Sequence, residues 1–350
     1  MKDNIRYVVP YVPGEQPDEK NMIKLNTNEN PYPPAPGVKS ILDSYSAEEL
    51  RLYPSPVSKD LVEEIAALHK VDCDRVFVGV GSDDVLALMF LTYFNSGKPI
   101  LFPDITYSFY DVWADLYRIP YKRPKLDDNF RIVPEDYKQE NGGIVIANPN
   151  APTGVFESQE TIESIIEANK DVVVIIDEAY VDFGPATMMS LADKYDNVVV
   201  VRTFSKSRSL AGMRIGYAIG SKALIKALND VRYSFNSYPM TRLSIQVGAE
   251  SIKDEKYFNE CVEKIKKTRE WTKAELKNLG FTFPDSQTNF IFAKHEKVSA
   301  VTIFEELRKK HIYVRHFNAD RIDNYLRITI GTDEEMKTFI NEVKEILERQ

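Results

Sequence analysis

Four consecutive valines, Val198 to Val201, then a polar turn and a second apolar run from Ile215 to Ile219, constrain this chain more than any other stretch. An unbroken β-branched run reads as a strand buried on both faces, which occurs where helices cover both sides of a sheet. The turn Arg202-Thr203-Phe204-Ser205-Lys206-Ser207-Arg208 leaves Lys206 just past the carboxyl end of that strand. Open α/β sheets bind their ligands at such ends. Arg208 and Arg214 are close to it in sequence. Fixed cations disfavour a protonated ammonium and so help free a nucleophilic amine. Ser205 and the two arginines also suit a phosphate. The same residues equally describe a basic surface loop, and the neighbouring strand ends weigh between the two.

Val76-Phe77-Val78-Gly79-Val80 reads as a short strand, followed by Gly81-Ser82-Asp83-Asp84 and an apolar helix through Phe94. A glycine turn opening a helix points backbone N–H groups at open space and can seat a phosphate, although Ser82 or Asp83 also suits a plain N-cap. A strand over Pro99 to Phe102 leads to Tyr107, placed either to stack on a flat ring or to pack, and to a helix through Tyr117. Gly143 to Ala147 is a buried strand running into the turn Asn148-Pro149-Asn150-Ala151-Pro152-Thr153-Gly154. After a helix over 158–169, the strand Val172 to Ile176 ends in Asp177-Glu178-Ala179-Tyr180. A carboxylate closing five apolar residues is costly to bury without a partner. Alternating strands and helices predict a mostly parallel sheet whose right-handed crossovers bring these ends to one edge. A phosphate seat, an acid, an aromatic plate and a lysine on one rim match pyridoxal phosphate, which needs a lysine for covalent attachment, an acid at its pyridine nitrogen and donors for its phosphate.

Around this α/β body the pattern changes at both ends. Residues 1–36 are rich in Pro and Asn and cannot form a regular helix. They read as an arm laid over other structure, with Tyr11 as its anchor or as a substrate contact. Residues 37–248 form the expected large domain, beginning with a helix over 37–50 and another over Lys59 to Lys70. Residues 249–350 read as a smaller α+β domain, with a helix over 254–279, strands at 289–293, 312–315 and 325–330, and a closing helix after Thr332. Arg327 is a charge inside an alternating strand, facing solvent or the cleft, and an arginine there can clamp a carboxylate or phosphate. The net charge of -8 gives no support to nucleic-acid or anionic-membrane binding. Cys73, Cys261 and the four histidines have no metal-ligand spacing. No apolar run of signal-peptide or membrane-spanning length occurs, so a cytoplasmic setting is the expectation.

Ser205-Lys206 with Gly212-Met213-Arg214, Asp177-Glu178-Ala179-Tyr180 and Pro152-Thr153-Gly154 resemble fold-type I, class II pyridoxal-phosphate aminotransferases over nearly the whole chain. Asn28-Glu29-Asn30-Pro31, Arg51-Leu52-Tyr53-Pro54, Gly81-Ser82-Asp83-Asp84 and Leu326-Arg327-Ile328-Thr329-Ile330-Gly331 narrow the resemblance to the histidinol-phosphate aminotransferases. The resemblance implies that Lys206 binds the cofactor and shuttles the proton, that Asp177 pairs with the pyridine nitrogen, that Tyr180 bonds the ring O3′ and that Tyr107 stacks on the ring. It implies that Gly81, Ser82, Asp83 (through its backbone N–H or a water), Ser205 and Arg214 surround the phosphate. It further implies a homodimer in which Tyr53 reaches the neighbouring site, and a substrate end formed by Arg327, Arg315, Tyr11 and Asn28. The family usually has Asn directly before Pro-Thr-Gly, where this chain has Ala151. Either Asn150 reaches the ring from a shifted turn or Tyr180 serves O3′ alone. The implied activity is transfer of an amino group between L-histidinol phosphate and 2-oxoglutarate in histidine biosynthesis. An aromatic amino-acid aminotransferase, a threonine-phosphate decarboxylase and a non-enzymatic binding protein are the competing readings.

Overall fold

A computed structural model describes residues 4–349. Its centre is a seven-stranded sheet in the order Val76–Gly79, Gly216–Gly220, Val198–Thr203, Val174–Asp177, Ile144–Ala147, Ile100–Leu101, Tyr121–Lys122. Gly216–Gly220 runs antiparallel to both neighbours and every other pairing is parallel. The valine run is buried on both faces. Val198 and Val200 pack into one core layer with Ile144, Ile146, Val174 and Ile176, beneath Leu61, Ile65, Ile162 and Ile166. Val199 and Val201 pack into the other with Val145 and Ile175, beneath the helices Ser82–Tyr93, Phe109–Tyr117 and Lys222–Phe235. Each fully buried Val or Ile contributes about 1.5–3 kcal/mol relative to exposure, so the sheet's centre is its most constrained part.

A second sheet of four antiparallel strands has the order Arg315–His316, Leu326–Thr329, Phe290–His295, Phe281–Thr282. It shares an apolar core with the helices Glu255–Asn278, Ala300–Lys309 and Asp333–Glu348. Thr332 begins the last of these with a reciprocal capping box to Glu335. Residues 23–25 of the arm pack against this unit. Ile23–Lys24 pairs in parallel with Ile312–Tyr313, and Leu25 is buried in the same core.

Several bounds differ from expectation. The helix expected over 37–50 is Pro36–Ser44 followed by a 3₁₀ turn, Ala47–Arg51. The strand expected over 312–315 splits at Val314, because its first half pairs with the arm and its second with Leu326–Thr329. The division at 248/249 falls inside the helix Arg242–Lys253, which packs on Pro36–Ser44 and Lys59–His69. We therefore place the junction at Asp254, whose carboxylate accepts from the Tyr257 N–H at 3.0 Å and caps the next helix. Arg321 ties the two bodies by donating to Asp104 at 2.7 Å and to the Leu126 carbonyl at 2.8 Å. Among the described residues no helix is long and apolar enough to cross a membrane, and no cluster of potential ligands could hold a metal ion.

Candidate active site

The parallel register sets Asp177 beside Ala147 on one side and Val201 on the other. The strand ends thus leave the sheet at one level, and a cavity of about 550 Å³ opens where they meet the arm and the small sheet. Ser82, Asp83, Tyr107, Asp177, Tyr180, Ser205, Lys206 and Arg214 line it, and Tyr11, Asn28, Arg315 and Arg327 close it from the arm and the small sheet.

Lys206 Nζ donates to the Thr27 carbonyl at 3.0 Å and lies 5.7 Å from the centre of the Tyr180 ring. The buried Asp177 carboxylate accepts from the Tyr110 hydroxyl at 2.8 Å and from the Ala179 N–H at 3.1 Å. Among the described residues it has no cationic side chain as a partner. Burial pushes its pKa up to about 6, against the pull of those two donors. The Tyr180 hydroxyl accepts from Asn28 Nδ2 at 2.8 Å.

At the glycine turn, Asp83 accepts from the Tyr107 hydroxyl at 2.8 Å and faces Arg214 Nη2 at 3.3 Å. Gly81 stands behind Arg214 with φ of +87°, and a Cβ there would lie 2.5 Å from Arg214 Nη2. A Cβ on Gly216 would lie 2.3 Å from the Ser82 nitrogen. Only glycine leaves room for the crossing of these two segments. At the opposite end, Arg327 faces the cleft and not solvent. Its Nη2 donates to the Asn26 carbonyl at 2.9 Å, while its buried Nε has no partner among the described residues. Arg315 is its cross-strand neighbour, and both guanidinium groups lie within 5.6 Å of the Phe317 ring centre. Tyr11 stacks on Phe109 at 4.1 Å between ring centres.

Gly81, Asn150 and Arg208, expected around the cofactor, do not line the cavity, while Tyr53, expected at a second subunit's site, lies outside it as well. Asn150 is turned inward: its amide donates to the Ile105 carbonyl and the Thr153 hydroxyl, each at 2.9 Å, and accepts from Thr106 at 2.8 Å. With those bonds filled, the turn presents Pro149, Ala151 and Pro152 to the cavity instead. Arg208 is drawn away from Lys206, 4.3 Å over the Phe258 ring and bonded to the Ser251 carbonyl at 2.9 Å. Tyr53 stands on the outer surface, 80% exposed, 5.0 Å from Tyr238 between ring centres. Sequence reasoning missed Tyr110, which stands in the first turn of the helix Phe109–Tyr117, three residues after Tyr107. It also missed the carbonyls of Asn26 and Thr27, which carry no side-chain signal.

A mostly parallel sheet with a lysine and a buried acid at adjacent strand ends, closed by a small α+β unit, is the architecture of the fold-type I aminotransferases. The family model "Aminotransferase class I and II" matches residues 20–343, and the chain belongs to that family. The histidinol-phosphate aminotransferase of Lactococcus lactis subsp. cremoris (strain MG1363) is 52% identical over 349 residues, spanning 100% of this chain and 98% of that protein. Among solved structures, histidinol-phosphate aminotransferase from Sinorhizobium meliloti in complex with pyridoxal-5'-phosphate superposes with a TM-score of 0.85 at 23% identity, covering 93% of this chain and 91% of that one. The enzyme of the same name from Clostridium acetobutylicum gives 0.85 at 22% identity, covering 94% and 100%.

Proposed function

We propose that this chain is a pyridoxal-phosphate-dependent transaminase that moves the amino group of L-histidinol phosphate to 2-oxoglutarate, giving imidazole acetol phosphate and L-glutamate in histidine biosynthesis. The observation that carries it is the pairing of Lys206 with an Asp177 carboxylate buried without a cation, at adjacent strand ends of one cavity. The full-length likeness to a histidinol-phosphate aminotransferase supports the substrate.

The residues fit the cofactor. A buried carboxylate with no cationic partner suits a protonated ring nitrogen, which would remove the penalty of its burial. Gly216 packs against the Gly81–Ser82 peptide and Arg214 stands beside Gly81; the free N–H groups at the start of Ser82–Tyr93 would, with Arg214 and Ser205, seat the phosphate. When bound, pyridoxal phosphate supplies an electrophilic carbon for the substrate amine and a ring that takes up the electron pair left at the substrate carbon. Lys206 would hold the cofactor covalently, then take the proton from the substrate carbon bearing nitrogen and return it one position away. Asp177, oriented by Tyr110 and Ala179, would stay ionised and hold the proton on the ring nitrogen. Tyr180, fixed by Asn28, would donate to the ring hydroxyl oxygen alone, since Asn150 is fully engaged elsewhere. Tyr107, anchored to Asp83, would cover the ring face.

Arg327 and Arg315 would receive the phosphate of histidinol phosphate in one half-reaction and a carboxylate of glutamate in the other, because both are anions that a guanidinium fork can bind. The unpartnered Nε of Arg327 is a donor available for this. Tyr11 would bound the same end from the arm. A cytoplasmic homodimer belongs to this proposal, with Tyr53 completing the phosphate site of the second subunit. The outward-facing Tyr53, Phe235 and Tyr238 support such an interface.

The test is a single-turnover absorbance experiment on cofactor-loaded protein without 2-oxoglutarate. Fast loss of the bound pyridoxal absorbance with L-histidinol phosphate and slow loss with L-phenylalanine is the expected result. The reverse order would make the enzyme an aromatic aminotransferase. Carbon dioxide release from O-phospho-L-threonine would make it a decarboxylase.

A further inference from the structure

Asp177 ends one strand, and Lys206 lies in the turn that follows the neighbouring strand, Val198–Thr203. The ladder ends at Asp177 opposite Val201, with a last bond from the Glu178 N–H to the Val201 carbonyl at 2.8 Å. Beyond it the two chains diverge into separate turns, and among the described residues no backbone hydrogen bond joins 179–184 to 204–210. A chain of buried and half-buried ionic side chains takes over, none of which lines the cavity. The Glu178 side chain is 0% exposed and its carboxylate accepts from Arg202 Nε at 2.9 Å and from the Thr187 hydroxyl at 2.8 Å. Arg202, on the lysine strand, faces Asp182 on its other side at 3.7 Å. Asp182 accepts from the Ser207 hydroxyl at 2.5 Å. The chain therefore starts one residue after Asp177 and ends one residue after Lys206.

Buried ion pairs add little net stability compared with apolar packing of the same volume, but their bonds are directional. Here the directions run between the two turns that must be held in register for the chemistry. We propose that Arg202, acting through Glu178 and Asp182, is a positioning residue that fixes the separation of the Asp177 carboxylate and the Lys206 amine. This rests on the reading of those two groups as the cofactor's partners. Asp182 is the link to vary, because it is half-exposed and its loss leaves the Glu178–Arg202 pair intact.

The test compares Asp182→Ala, Asp182→Asn and Ser207→Ala with the unmodified enzyme. Cofactor affinity is read by titrating the cofactor-free protein with pyridoxal phosphate, alongside kcat, KM and Tm. Asp182→Ala and Ser207→Ala should each lose about 10- to 100-fold in kcat and weaken cofactor binding, with KM for histidinol phosphate within about twofold. Asp182→Asn keeps an acceptor for Ser207 and should recover most of the loss, and the double variant Asp182→Ala/Ser207→Ala should be no worse than either single one. Unchanged kcat and cofactor affinity in Asp182→Ala would overturn the inference, as would losses in all variants that merely follow Tm. An unmodified protein that takes up no pyridoxal phosphate would overturn the functional reading and this inference with it. A loaded, active enzyme indifferent to Asp182→Ala would overturn this inference alone.

Discussion

At the scale of single residues, the hydrogen bonds of Lys206, Asp177 and Arg327 among the described residues go to neutral groups. Among the described residues Lys206 bonds only to a backbone carbonyl, so Lys206→Ala should leave Tm nearly unchanged while transamination disappears; near-normal turnover would remove the lysine from the mechanism. Arg327→Gln should raise KM for 2-oxoglutarate by about 10- to 100-fold, as the loss of a charge-assisted bond of roughly 1.5–3 kcal/mol implies. Asp177 makes a prediction about stability. Its folded pKa of about 6 is above its ordinary 3.8, so the folded protein keeps a proton that the unfolded chain releases between those values. Stability from this group is present at low pH and is lost as pH rises toward 6. Above that, ionised Asp177 costs the cofactor-free protein on the order of 2–3 kcal/mol. Cofactor-free Asp177→Asn should thus be more stable than the parent at pH 8, with the gap closing by pH 5. Urea denaturation at the two pH values checks this, and a parent that is the more stable at pH 8 would contradict it.

At the scale of elements, His69 closes the helix Lys59–His69 and bonds the Tyr217 hydroxyl at 2.9 Å. Burial holds its pKa down to about 4, so acid protonates the unfolded chain first. Stability from this group is full above pH 6.5 and falls as pH drops from there toward 4, opposite in sign to Asp177. His69→Gln should flatten the acid side of a Tm-versus-pH curve. Gly216→Ala should push on the Gly81–Ser82 turn and weaken pyridoxal phosphate binding, read by cofactor titration. What was legible from sequence follows the same physics. Val198 to Val201 and Val174 to Ile176 announced buried strands because β-branched runs fit little else, and Asp177 and Lys206 stood out as charges ending them. Arg208 looked like a neighbour of Lys206, yet Phe258 and Ser251, far along the chain, draw it away. Asn150 looked available, but which side of a turn a residue faces depends on Ile105 and Thr106, which adjacency in sequence does not report.

At the scale of the whole molecule, the exposed Tyr53 faces out of the monomer while the proposal puts it at a second subunit's site. Mixing Lys206→Ala subunits with Tyr53→Ala subunits should yield hybrids with one site that has both side chains. Activity above either parent after co-refolding supports this, and strictly additive activity would not. The arm binds both bodies at once through three successive residues. Asn26 accepts from Arg327, Thr27 accepts from Lys206, and Asn28 bonds Tyr180 with its side chain and Thr329 with its backbone. Two of these contacts are made by main-chain carbonyls, so point substitutions at 26 and 27 leave the acceptors in place. Inserting or deleting one residue anywhere between the buried Leu25 and Asn28 would be a different kind of change. It would slip the whole thread past its four partners together, and no single side-chain replacement could restore them.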